Sequence, residues 1–400
     1  NKNLVVIKNN LAKIRIQTLE TGHGEWLISK QLSLFFLFYF AFLLADYLTI
    51  FIDHFSQGYI QKIINIVVTS IILGMKKYLY IFFIYLSSAY KVFWLNPRNS
   101  RKIIQELNLV LAVKNTSLDG NISRRIKLYI LMSDFTNSWF CSLRGYAATT
   151  KEKHDTFYLA AIMPLLDDLT DSLKTPSIDI IKGLKNNNDS LHPSMPAIRY
   201  LYNKLLNNCS DSFVKLFHEA LKVQDKSILQ LENHTLDTAI LKQITYEKGG
   251  ISTFLFRLVL ENSLVKNEEK AIYELGYLIQ LINDMFDVYK DHKNKQQTLF
   301  TNASSLSHPI KEFSGSFNKI TRSFLSLDYH YKDIKKCLSQ ISTITSRGQV
   351  CIEQLLECEI STQGNFLIDT YQRKQLICDM DTFSSIYKTF KYSTAYCEKL

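Results

Sequence analysis

From about Asn99 to the end of the chain, apolar residues recur at intervals of three and four, and two-residue alternation is scarce. That period belongs to amphipathic helices rather than strands. It predicts helices over 99–114, 122–146, 152–174, 194–207, 210–231, 236–247, 250–263, 267–291, 309–326, 331–360 and 368–395. Asn96-Pro97-Arg98-Asn99-Ser100 is a helix-start signal, while Asn115 to Asn121, Lys185 to Ser190 and Thr301 to Ser307 are polar breaks. Gly249-Gly250 should break or bend a helix, which is why 236–247 and 250–263 are separated. The fold class expected is all-α, a large antiparallel helical bundle.

The first hundred residues read differently. An aromatic and aliphatic stretch runs from Leu32 to Ile52, interrupted by Asp46, and two more apolar runs, Ile63 to Met75 and Tyr78 to Tyr90, flank Lys76-Lys77. A spanning helix needs about 20 apolar residues, which the two later runs lack. Core helices of a bundle are therefore preferred over a membrane anchor, with peripheral membrane contact left open. The division expected is an apolar N-terminal helical region at 1–98, packed onto the core or membrane-associated, and a helical domain at 99–400.

Composition narrows the classes of partner. The 400 residues are 46% hydrophobic and 21% charged, the balance of a folded chain, and 13 Gly with 6 Pro leave few tight turns. A net charge of +10 suits an anionic partner. Because the basic residues are dispersed and no nucleic-acid-binding motif appears, no nucleic-acid partner is expected. The 7 Cys are odd in number and form no C-x-x-C pair, so reduced, buried thiols are the plain reading. The first thirty residues lack the order of a signal peptide, and the location expected is cytoplasmic, with membrane association and a homodimer both open.

Two acidic segments carry candidate chemistry. FYLAAIMPLLDDLTDSLKTP places Asp167, Asp168 and Asp171 near the C-terminal end of a helix that Pro176 helps to stop, with Asp167 and Asp171 four apart. Carboxylates there oppose the helix dipole unless a cation neutralises them. LGYLIQLINDMFDVYKD puts Asn283, Asp287 and Asp291 at i, i+4 and i+8 on one predicted stripe, with Asp284 beside it and apolar neighbours around it. Hard oxygen donors in a row suit Mg²⁺, which keeps waters and is commonly completed by substrate phosphates. Solvated acidic faces are the structural alternative for both segments. Between them, Lys248 stands before Gly249-Gly250, where it reads as an anion contact or as part of a helix C-cap. Arg144, before Gly145, reads equally as a phosphate contact or as a surface arginine.

Two acidic helix motifs in this order, more than a hundred residues apart, resemble the class I terpenoid synthase and trans-prenyltransferase superfamily. Asp167, Asp168 and Asp171 match its DDxxD motif. The second segment resembles the cyclase pattern N-D-x-x-S-x-x-x-E at Asn283, with Asp287 and Asp291 in place of Ser and Glu. It also resembles the transferase run G-x-x-x-Q-x-x-D-D-x-x-D at Gly276, Gln280, Asp284 and Asp287, with Asn283 where the first Asp is usual. The resemblance implies an isoprenoid-biosynthesis fold with motifs facing across a helical pocket, Mg²⁺ held by Asp167, Asp168, Asp171, Asn283, Asp284, Asp287 and Asp291, and a prenyl diphosphate substrate. It implies a diphosphate contact from Lys248, beside which Arg144 stands as the second candidate. Transferases of the family also carry a basic G-K-R-type motif before DDxxD and an Arg-Arg pair after it, and neither is in register here. The expectation is therefore a terpene synthase, a lyase that ionises one allylic diphosphate. Chain elongation is the alternative, and a non-catalytic helical membrane-associated protein the third reading.

Overall fold

The computed structural model of the protein describes residues 78–400, apart from 89, 92–95, 187–188, 190, 232–234 and 381. The apolar runs Leu32 to Ile52 and Ile63 to Met75 lie outside the described residues. Among those described, every regular element is helical, which bears out the all-α expectation. None of their helices is long and apolar enough to cross a membrane.

The chain divides into two compact units, Asn1–Tyr80 with Asp379–Tyr387, and Ile81–Cys378 with Lys388–Leu400. The second holds both acidic segments and begins earlier than the expected boundary at 98. Its first helical residues have partners within the unit: Ile81 is fully buried, the Tyr85 hydroxyl lies 3.0 Å from Ser393 Oγ, and the Tyr85 and Phe390 rings stand 6.3 Å apart.

The helices are α1 (Asn96–Ala112), α2 (Gly120–Arg144), α3 (Thr150–Asp167), α4 (Ser177–Lys185), α5 (Met195–Leu206), α6 (Asp211–Ser227), α7 (Thr238–Leu258), α8 (Glu268–Phe286), α9 (Val288–Lys293), α10 (Ser307–Leu325), α11 (Tyr331–Ser361), α12 (Arg373–Leu376) and α13 (Phe383–Glu398). Local chemistry explains several ends. Asp119 caps α2 by accepting from Ile122 N, and Gly145 closes it in the left-handed region at φ 79°. Thr149 and Glu152 form a reciprocal capping box at the start of α3. The helix α4 escaped sequence reading because its apolar residues fall in a short segment between two polar breaks.

Three expectations about helix limits are corrected. The α7 helix runs unbroken through Gly249-Gly250. These glycines serve a close helix crossing: a Cβ on Gly249 would collide with the Gly276 carbonyl and stand 2.8 Å from Gln280 Cβ, and one on Gly250 would meet the Tyr273 ring. The expected helix 267–291 is interrupted at Asp287, between α8 and α9, although Asp287 N still donates to Asn283 O at 2.9 Å and Asp291 N to Asp287 O at 2.8 Å. The expected 368–395 helix is a 3₁₀ turn at Ile368–Thr370 followed by α12 and α13.

The core that carries the acidic segments is built on α2, α3, α7, α8 and α11. Helix α2 packs against α3, α7 and α11, and α8 packs against α7, α10 and α11. Leu275, Leu278, Leu281 and Met285 of α8 are fully buried, each worth about 1.5–3 kcal/mol of burial.

Candidate active site

The first acidic segment sits where α3 changes its winding. Pro164 lies inside α3, and Asp168–Ser172 form a π-turn closed by Leu173 N donating to Asp168 O at 3.2 Å. Wider winding is common at functional sites and alters which positions share a face, so the four-residue spacing of Asp167 and Asp171 no longer guarantees alignment. Nothing is described of the Asp171 side chain. Asp167 and Asp168 are half-buried and both face α2. Arg125 Nη1 donates to Asp168 Oδ1, and its Nη2 lies 3.6 Å from Asp167 Oδ2. Tyr129, one turn further along α2, donates to that same Asp167 Oδ2 at 2.7 Å.

The second segment presents a different stripe from the one expected. Asn283 is exposed, whereas Asp284 and Asp291 are buried and Asp287 is intermediate. Asp284, Asp287 and Asp291, at i, i+3 and i+7, are electrostatic neighbours. Gln280 Nε2, one turn before, donates to Asp284 Oδ1 at 2.8 Å. Burial pushes the Asp284 carboxyl up to about 6 against the lowering effects of Gln280 and the Lys248 ammonium, with the Asp287 charge adding to the rise. Burial, joined by the charges of Asp284 and Asp287, pushes Asp291 up to about 7, while Lys290 and Lys248 pull the other way.

Lys248 stands beside the glycine crossing, on the helix that packs against the second segment. With no side chain between Gly249 of α7 and Gly276 of α8, the helices meet at backbone distance, and Gln280 and Asp284 follow Gly276 by one and two turns. Lys248 is the α7 cation whose field acts on both Asp284 and Asp291.

Arg144 has another occupation. Its Nη1 donates to Glu152 Oε1 at 2.7 Å and to the Glu261 carbonyl at 2.6 Å, and its side chain is 1% exposed. Glu152 also accepts from Glu261 N at 2.7 Å and from Thr149 N at 2.8 Å. Burial opposes ionisation of Glu152, but Arg144 and these donors hold its carboxyl below the usual range. The cluster fastens α2, the start of α3 and the segment after α7, and a diphosphate contact by Arg144 would require breaking it.

Sequence reading missed two polar partners, Arg125 and Tyr129, and named Gln280 as a position of the transferase-like run without its bond to Asp284. Arg125 and Tyr129 form an i, i+4 pair on α2, but their acidic partners lie 43 and 38 residues away, and no local pattern announces them.

Mg²⁺ fits the donor chemistry, since both segments offer carboxylate oxygens and the buried Asp284 and Asp291 lack enough positive charge nearby to ionise at their ordinary pKa. Among the described residues no group of three or more His, Cys, Asp or Glu forms a cage for a metal ion.

No protein family matches the chain, and no curated protein does. Among solved structures, a heptaprenyl diphosphate synthase from Staphylococcus aureus aligns with 74% of this chain and 98% of its own at 13% identity, with a TM-score of 0.32. A superposition that loose does not establish a shared arrangement of helices.

Proposed function

We propose that the protein is a Mg²⁺-dependent enzyme that ionises an allylic prenyl diphosphate, in the manner of a class I terpene synthase. The observation that carries this reading is the acidic row of buried Asp284 and Asp291 with the part-exposed Asp287, under the field of Lys248. Buried carboxylates of like charge destabilise an empty site and are justified by a bound cation. The metal would be held by Asp167 and Asp168, with Asp171, on one side and by Asp284, Asp287 and Asp291 on the other, Asn283 being the outlying candidate.

Heterolysis of the allylic C–O bond leaves a carbocation on the prenyl chain and sends the bonding electron pair out with diphosphate. Bound Mg²⁺ would supply charge neutralisation to that leaving group. Lys248 would donate to a departing phosphate oxygen, a charge-assisted hydrogen bond that strengthens as negative charge develops. The apolar residues of the bundle would keep water from the cation, and aromatic faces among the 25 Phe and 22 Tyr would stabilise it in passing.

Chain elongation is the second reading, favoured by a specific observation: four positions of the transferase-like run are in use. Gly276 makes the helix crossing, Gln280 bonds Asp284, and Asp284 and Asp287 belong to the acidic row. The missing Arg-Arg pair after the first segment weighs against a second diphosphate site.

Incubation with labelled geranyl, farnesyl and geranylgeranyl diphosphate, with and without isopentenyl diphosphate and chelator, separates the readings. Mg²⁺-dependent release of hydrocarbon or alcohol from one substrate is the expected result. A longer diphosphate formed with consumption of isopentenyl diphosphate establishes elongation instead. Silence with every chain length overturns both.

A further inference from the structure

The first acidic segment already has a cation, and it belongs to the chain. Arg125 binds Asp168 directly and stands 3.6 Å from Asp167 Oδ2, the oxygen that also accepts from Tyr129 at 2.7 Å. The side chains of Arg125, Asp167 and Asp168 are 29%, 30% and 29% exposed, so the guanidinium lies against the carboxylates and is not splayed into water. A guanidinium matches a carboxylate with several fixed N–H donors and keeps its charge at every working pH. Oxygens so engaged cannot be given wholly to a divalent ion at the same time.

We infer that Arg125 is an internal counter-cation of the first acidic segment, which competes with divalent metal for Asp167 and Asp168 and must withdraw before the metal binds there. The inference rests on the proposed reading in taking these carboxylates as metal ligands. Arg125 is then a positioning residue: it neutralises two adjacent like charges at the end of α3 while the site is empty, and it weakens metal binding to the substrate-free protein. Tyr129 holds the Asp167 oxygen in place while the guanidinium leaves, because it bonds the same atom from the next turn of α2. In the second acidic segment the cations are lysines: Lys290 Nζ stands 3.2 Å from Asp287 Oδ2, and Lys248 acts on Asp284 and Asp291.

Titration of the full chain with Mn²⁺, followed by electron paramagnetic resonance without any prenyl substrate, tests the inference. Arg125→Gln is expected to tighten the weaker class of Mn²⁺ sites about tenfold, and Arg125→Lys, which keeps the charge but loses the fork, to tighten it less. Circular dichroism and unfolding midpoints establish that the variants are folded. If Arg125→Gln does not fold, Arg125→Lys alone decides. Unchanged or weakened Mn²⁺ affinity in the folded variants overturns the inference, as does the absence of Mn²⁺ binding in parent and variants alike. Failure of the functional reading is distinguishable, because silence with all prenyl diphosphates leaves the metal titration unaltered.

Discussion

Asp284 and Asp291 stand seven residues apart, both buried, the charge of Asp284 raising the cost of ionising Asp291 and the Lys248 ammonium acting on both. Their folded pKa values, about 6 and about 7, exceed the unfolded value near 3.8. The folded state therefore binds more protons than the unfolded state between those limits, and the metal-free protein should lose stability as pH rises from about 4 to about 7. Asp291→Asn should remove part of that loss, adding on the order of 1 to 3 kcal/mol at pH 8 and little at pH 4. Urea unfolding at the two pH values in chelator provides the measurement. A parent protein whose metal-free stability increases over this range would contradict the assigned burial.

The glycine crossing supports a paired prediction. Gly276→Ala puts a methyl group into the Gly249 carbonyl and 2.7 Å from Gly250 Cα, so α7 and α8 must separate, at a cost of about 3 kcal/mol or more. Gly315→Ala, in α10 with nothing within 4 Å of the added carbon, should stabilise by about 0.5 to 1 kcal/mol. Opposite shifts in denaturation midpoint are expected, and equal effects would mean that the crossing is not tight.

How far the fold could be read in advance follows from the same residues. Helices with a regular apolar face were legible, because burial of one face is the dominant local signal. Gly249-Gly250 misled, since low helix propensity is a local property and the contact that needs these glycines comes from α8. Asp287 misled in the opposite sense: its neighbours continue the helical spacing, and nothing local marks the interruption. The acidic segments were visible as clusters, but the stripe they form was not. Asn283 carries the family-like signature and is exposed, while Asp284, read as an accessory, is buried with Asp291. Arg125 and Tyr129 depend on the packing of α2 against α3 and could be found only in three dimensions.

Lys248→Ala should lower turnover of an allylic diphosphate by about ten- to a hundredfold with little effect on unfolding, matching loss of a charge-assisted bond of roughly 1.5 to 3 kcal/mol. Asp168→Asn and Asp287→Asn should abolish Mg²⁺-dependent turnover while leaving helix content intact. Single-turnover rates at saturating Mg²⁺ measure all three. Full activity in both Asn variants would exclude a metal-held diphosphate.

Arg144 divides a structural from a ligand-binding role. Arg144→Met leaves Glu152 buried without its ion-pair partner and should cost about 3 to 5 kcal/mol in unfolding free energy. Glu152→Gln should be similarly damaging, since it leaves Arg144 charged in a site that is equally closed. A stable Arg144→Met protein that has lost only diphosphate affinity would restore the residue to the binding site.

At the Gly249–Gly276 crossing no side chain lies between the two backbones, so there is no spacer whose size could be varied to retune the distance. The crossing acts as a key in a slot, indexing Lys248 against Gln280 and Asp284 by the covalent dimensions of the main chain alone. On the proposed reading, changes of substrate length would then have to be written elsewhere, on apolar walls that can change volume, while the acidic end kept the same gauge throughout.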